Sequence, residues 1–182
     1  SPRHGPCPPV SSMRPGPEVR LERGDAGGQQ WEFAQLSQPP FGVRQLVGYD
    51  ERTAASSKRR EIGGPRAVLI IELGPALELE LEDETRTFSS FAVGPCAPPT
   101  VTEHGGWQRG VQIELAPTLA RALLGPLDAL EGQVFGLEDV VGTQLELDVL
   151  RRTADRWDAV LGSLHAALER CAAEHRPDPR VA

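Results

Sequence analysis

Residues 102–125, TEHGGWQRGVQIELAPTLARALLG, decide the reading of this chain. Val111, Ile113 and Leu115 alternate with Gln112 and Glu114, the period-two pattern of a strand with one buried face. Pro117 then stands where a helix tolerates it, in the first turn, because the N–H it lacks would have no partner there. Leu119, Ala120, Leu123 and Leu124 follow at helical spacing. Gly125 supplies the left-handed residue that ends many helices, and Pro126 prevents continuation. A turn, a strand and a helix are joined with almost no slack, which divides the chain into a sheet before this joint and helices after it.

Upstream, the strand signals are clear from Ala67. AVLIIEL (67–73) is a nearly unbroken apolar run, as expected of a strand buried on both faces. After the Gly74-Pro75 turn, Leu77, Leu79 and Leu81 alternate with glutamates; on a helix those leucines would spread around the axis, so the segment reads as a strand. Phe88, Phe91 and Val93 suggest another. Trp31, Phe33 and Leu36 suggest a short strand, and FGVRQLVGY (41–49) one carrying a bend or bulge at its glycines. Residues 50–65 read as a polar loop with a short extended piece. Strands separated by turns at this spacing predict an antiparallel sheet curled into a small barrel or sandwich.

Residues 1–28 read as an unstructured Pro/Gly-rich tail, with Met13, the one methionine, as a candidate true start. Downstream, residues 127–130 and 137–141 read as short helical turns, the second ended by Gly142. Thr143 caps a predicted helix over 143–175, in which Leu147, Leu150, Ala154, Trp157, Leu161, Leu164, Leu168 and Cys171 recur at spacings of three and four. That seam packs either on the chain's own sheet or on a second copy. Leu150, Trp157, Leu161, Leu164 and Leu168 are the candidate dimer seam. Residues 176–182 contain two prolines and read as the start of a linker. The fold class is α+β: a β-rich domain over 29–142 followed by C-terminal helices.

Composition narrows the function classes. Nineteen Lys and Arg stand against 26 Asp and Glu, a formal net charge of -7. Proteins that grip DNA concentrate basic residues to displace counterions from phosphates, so this polypeptide is not expected to bind nucleic acid itself. Lys58, Arg59 and Arg60 form a short basic run that reads as a solvated loop. Cys7, Cys96 and Cys171 are odd in number and widely spaced, against a disulfide framework. No apolar run is long enough to span a bilayer and no leader pattern opens the chain, so a cytoplasmic location is expected.

Signals for catalysis are weak. His104 beside Glu103 invites a metal, but three or four convergent ligands are needed and the neighbouring sequence offers none. Cys171 and His175, four apart on the predicted helix, lack a second pair. Cys96 sits in a proline-rich loop without a dedicated base. The chain has no phosphate-binding glycine loop, nucleophile elbow or Walker lysine. No cofactor is expected, and nothing argues for an enzyme.

The order and spacing of many short matches give the chain a family likeness. They are Val47-Gly48-Tyr49, Val68-Leu69-Ile70-Ile71 with Leu73-Gly74, Ser90-Phe91 with Val93-Gly94, and Thr102-Glu103-His104 with Gly106. They continue through Val111-Gln112-Ile113, Leu115, Pro117, Leu124-Gly125, Leu130, Gly132, Leu137-Glu138-Asp139-Val140 and Gly142. From about Phe41 onward the chain resembles the N-terminal regulatory domain of AraC/XylS-family bacterial transcription regulators. The resemblance implies a small cupin-like β-barrel with helices that senses a small-molecule effector or mediates self-association as a homodimer. DNA would be read by a C-terminal pair of helix-turn-helix motifs, which would begin where residues 176–182 end this sequence. Glu103, His104 and Trp107 are the candidate effector-pocket residues, though the same three could simply close a turn. The alternative is a stand-alone module that binds a small molecule or pairs with a full-length regulator. A cupin-like enzyme would need a metal cluster.

Overall fold

The computed structural model describes residues 17–61, 63–141 and 144–175, with the side chains of 139 and 140 excepted. Gly142, Thr143, Met13 and the expected linker at 176–182 lie outside the described residues. In chain order the strands are β1 (Val19–Ala26), β2 (Gln29–Leu36), β3 (Val43–Arg52), β4 (Ser57–Glu61), β5 (Ala67–Glu72), β6 (Leu77–Glu80), β7 (Thr85–Phe88), β8 (Ser90–Val93), β9 (Thr100–His104) and β10 (Trp107–Leu115). The helices α1 (Pro117–Leu124) and α2 (Leu127–Leu130) follow, then strand β11 (Val134–Gly136), then α3 (Glu138–Val141), α4 (Leu147–Arg152) and α5 (Trp157–Glu174).

Among the described residues the strands form two antiparallel sheets, ordered β1-β2-β3-β10-β5-β8-β11 and β4-β9-β6-β7. The fold is a mostly antiparallel β-sandwich with C-terminal helices, as expected. The strand read from residues 111–115 is the centre of the larger sheet, paired with β3 on one side and β5 on the other. The irregularity in β3 falls at neither expected glycine but is a register shift: Gln45 pairs with Glu114 and Val43 with Leu115, which leaves Arg44 as the extra residue.

Period-two alternation gives each central strand two different faces. Outward from the sandwich, Leu69 and Ile71 of β5 and Val111, Ile113 and Leu115 of β10 are fully buried beneath the helices. Leu119, Ala120, Leu123 and Leu124 of α1 and Val160, Leu161, Leu164, Ala167 and Leu168 of α5 complete that core. Burying a leucine contributes about 2 kcal/mol, so this layer carries most of the apolar stabilisation. A smaller cluster, Leu77, Leu79, Phe88 and Phe91, joins the two sheets.

Three expectations need correction. Residues 19–26, placed in the unstructured tail, form β1, paired along its whole length with β2. Gly27 and Gly28 are not the end of a disordered segment but a two-residue hairpin turn. Their φ values of 62° and 79° are the positive pair that a type I′ turn requires. The basic run Lys58-Arg59-Arg60 is a strand, not a solvated loop. Lys58 and Arg60 are exposed, whereas Arg59 turns inward onto Glu51.

The single helix expected over 143–175 is two helices. The first ends at Arg152; Thr153 Oγ1 donates back to Val149 O at 3.0 Å, and Arg109 Nε donates to the Ala154 carbonyl at 2.6 Å. Arg156 is then extended, and a new helix starts at Trp157. The proposed dimer seam is likewise overturned. Leu150, Leu161, Leu164 and Leu168 are fully buried and Trp157 is 6% exposed, all within this chain's own core. Three-four spacing marks an apolar stripe but not what covers it, and here the sheet covers it.

Candidate functional site

Between the sheets lies a cavity of about 350 Å³, within the range that holds small ligands. Its walls are the inward faces of the strands just described. From the larger sheet come Gln45, Val47, Tyr49 and Glu51 of β3, Gln108 and Gln112 of β10, Val68 and Ile70 of β5, and Phe91 and Val93 of β8. The smaller sheet adds Arg59 and Glu61 of β4, Thr100 and Thr102 of β9, and Leu77 of β6. Phe33, Gly63, Gly64, Arg66 and Pro98 complete the wall. The larger sheet thus contributes both amides and apolar or aromatic side chains, and the smaller sheet mainly hydroxyls and charged groups.

Both arginines of the wall are paired with carboxylates. Arg59 meets the buried Glu51 with both guanidinium nitrogens, Nη1 donating to Oε1 at 3.2 Å and Nη2 to Oε2. Such a fork holds both side chains in one plane. Arg66 Nη1 donates to Glu114. Glu72 has a different environment. It follows Val68 and Ile70 on the inward face of β5 and is 2% exposed. Tyr49 Oη donates to Glu72 Oε1 at 2.5 Å, and Gln108 Nε2 approaches the same oxygen at 3.5 Å. Oε2 has no hydrogen-bond partner. Burial pushes the Glu72 carboxyl up to about 7, against the smaller opposing pull of the Tyr49 and Gln108 bonds. Burial, reinforced by the neighbouring carboxylate, also holds the Tyr49 phenol well above its usual range.

None of the three expected pocket residues lines this cavity. Trp107, on the same face of β10 as Arg109, turns away from the cavity. Its Nε1 donates to Asp50 at 3.1 Å and its ring lies 5.2 Å from the Arg52 guanidinium carbon. Glu103 points out of β9 and shares Lys58 with Glu80, at 3.1 and 2.5 Å. These two carboxylates, Glu80 first, push the exposed ammonium up to about 12. His104 points inward with Thr100 and Thr102 and is buried, yet it is not part of the wall. Neither ring nitrogen has a partner. Burial holds its imidazole below the ordinary value, and the Arg59 charge adds to that.

Of the expected trio only His104 shares a strand face with a lining residue, Thr102; Glu103 and Trp107 lie on the opposite faces of their strands. Thr102 and Gln108 flank the expected trio and do line the cavity. The signal that marks them is the polar half of each alternation. Gln108 and Gln112 look like a solvent face in sequence, whereas here that face is internal. Among the described residues no group of three or more His, Cys, Asp or Glu is placed to hold a metal ion. His175 and Cys171 are linked by a 2.9 Å contact between Nδ1 and the Cys171 carbonyl. Cys96 is an exposed free thiol. No helix among the described residues is long and apolar enough to cross a membrane.

No family model matches the chain, and no curated protein matches it. Solved structures with a similar fold include the AraC-like transcriptional activator CuxR, at 14% identity and a TM-score of 0.45, over 89% of this chain and 63% of that one. The chain thus spans less than two thirds of that activator's length. A predicted oxalate decarboxylase from Thermotoga maritima is similar at 9% identity and a TM-score of 0.39, over 54% and 94% of the two chains. KdgF from Halomonas sp. is similar at 13% identity and a TM-score of 0.36, over 52% and 86%.

Proposed function

We propose that this chain is the effector-sensing domain of an AraC-like transcription regulator, with the cavity between the sheets as its effector site. The observation that carries the proposal is the division of labour on β3 and β10. Tyr49, Glu51 and Gln108 face the cavity, while their immediate neighbours Gly48, Asp50 and Arg109 face the start of α5. A ligand that shifts the cavity face moves residues whose backbones also seat the helix. Differential binding to two seatings of α5 would bias how an attached DNA-reading domain is presented. The family likeness of the sequence supports the same reading, and the acidic charge argues against DNA contact by this chain itself.

A thermal-shift screen against a metabolite panel tests the proposal. A ligand at 100 times its Kd stabilises the native state by about 2.7 kcal/mol, a readily measured rise in Tm. The variant Ile70→Trp, which fills the cavity, should abolish the rise. A panel that never shifts Tm, or a shift that survives Ile70→Trp, would refute the cavity as the effector site.

A further inference from the structure

We infer that the effector is a small organic amine whose ammonium group is received by Glu72, in place of the Gln108 amide. This inference rests on the reading of the cavity as an effector site and names the ligand class. Its geometric basis is the buried Glu72 carboxylate, which lies behind the cavity wall against two of the lining residues: Tyr49 holds one oxygen, Gln108 reaches that same oxygen at 3.5 Å, and the other oxygen has no partner. A buried acceptor left unpaired is costly, and a charged donor is the partner that offsets most of that cost.

Charge complementarity favours a cation over an uncharged donor. Both arginines of the wall are already engaged, Arg59 by Glu51 and Arg66 by Glu114. Glu72 has no cationic partner among the described residues. The Gln108 amide lies at 3.5 Å, the limit of a hydrogen bond, on a flexible side chain that lines the cavity. It is the natural group for a ligand nitrogen to displace. Phe33, Val47, Ile70 and Phe91 would hold the apolar body of the amine, and the aromatic rings also attract a cation. The other titratable or charged groups turned toward this interior are Tyr49 and Glu51 on β3, Arg59 and Glu61 on β4, Arg66 before β5, and His104 on β9.

The test uses two probes of one shape, 2-phenylethylamine and 2-phenylethanol, with the full chain. At pH 8 the amine is expected to bind at least tenfold more tightly than the alcohol, a difference of about 1.4 kcal/mol. Glu72→Gln should erase that preference while leaving alcohol binding in place. An independent readout needs no variant. Because Glu72 titrates near 7, ammonium binding at pH 7 should release about half a proton, measured calorimetrically in buffers of different ionisation enthalpy. Equal binding of the two probes, a preference that persists in Glu72→Gln, or amine binding without proton release would each overturn the inference. Binding of the alcohol or another uncharged compound without the amine overturns the amine and leaves the cavity reading standing. Silence across both probes and the wider panel overturns both.

Discussion

The Arg109 guanidinium carbon lies 4.0 Å from the centroid of the Trp157 ring, and this stacked pair fastens the start of α5 to the centre of the larger sheet. Two further bonds hold Arg109 in place, Nε to the Ala154 carbonyl and Nη1 to Asp50 Oδ2, both at 2.6 Å. Trp157 Nε1 donates to Glu32 at 2.6 Å, which adds β2 to the same joint. The residue before Arg109 in sequence is Gln108, in the cavity wall. Cavity and helix are therefore one peptide unit apart.

Arg109→Leu should lower stability by about 3 kcal/mol, because it leaves Oδ2 of the largely buried Asp50 and the Ala154 carbonyl without their donor, Oδ1 keeping only the Trp107 indole N–H and the more distant Arg52. Urea denaturation followed by tryptophan emission measures this. A loss below about 1 kcal/mol would mean that the joint is ornamental, since that is the usual worth of an exposed ion pair.

Gly48→Ala attacks the same joint from the other strand. A Cβ at position 48 would lie 2.4 Å from Trp157 Cζ3, inside any tolerated contact, and a rigid indole cannot fold out of the way. Overpacking of this kind costs about 1–3 kcal/mol. The variant should unfold at lower urea concentration, with a shifted Trp157 emission in its native state. Unchanged emission and unchanged stability would show that the indole does not sit against Gly48.

Leu164→Ala separates the two fates of the leucine stripe. Leu164 is fully buried in the chain's own core, so truncation should cost about 2–5 kcal/mol. That loss should be the same at every protein concentration. A Tm of the unaltered chain that rises with concentration, and falls back to concentration independence in Leu164→Ala, would restore the stripe to a subunit interface.

The strand and helix types were legible because alternation and helical spacing record burial, and burial is what separates these elements. Val111, Ile113 and Leu115, and the Pro117–Leu124 helix, are examples. Two things were not legible, for physical reasons. Alternation tells which face is apolar, not what lies over the polar face, so Gln108, Gln112 and Tyr49 could not be told from surface residues. Spacing along residues 147–171 cannot show that Arg109, far away in sequence, would donate to the Ala154 carbonyl between the two helices. Gly27-Gly28 was readable: two glycines between alternating segments form a hairpin signal, outweighed in the sequence by the prolines that precede it.

Glu72→Gln should stabilise the chain in mild alkali. A carboxyl held at about 7 when folded, against an ordinary value of 4.5, binds its proton more tightly in the native state. Its effect on stability is absent below about pH 4.5, grows unfavourable as pH rises, and is complete above about pH 7, at about 3 kcal/mol. The neutral amide removes it. Melting curves should show the variant gaining several degrees over the parent at pH 8, at roughly 2–4 °C per kcal/mol, and far less at pH 5. A gain that is equal at both pH values would place the effect in packing instead of charge.

His104→Leu should act with the opposite sign. The imidazole is held below its ordinary value of 6.5 by burial first and the Arg59 charge second, with Glu51 pulling the other way. The unfolded chain therefore takes up this proton more readily, and stability is lost as pH falls below about 6.5. Leucine removes that loss together with two ring nitrogens that have no partner. In the parent the two buried groups oppose each other between pH 7 and pH 5: protonation of Glu72 favours the fold while the pull of protons on His104 disfavours it. The parent's own pH profile can thus look flat, and only the difference between variant and parent isolates each group. His104→Leu should gain most at pH 5 and least at pH 8, the mirror of Glu72→Gln. If its gain does not grow on acidification, the imidazole is not the group that resists acid here.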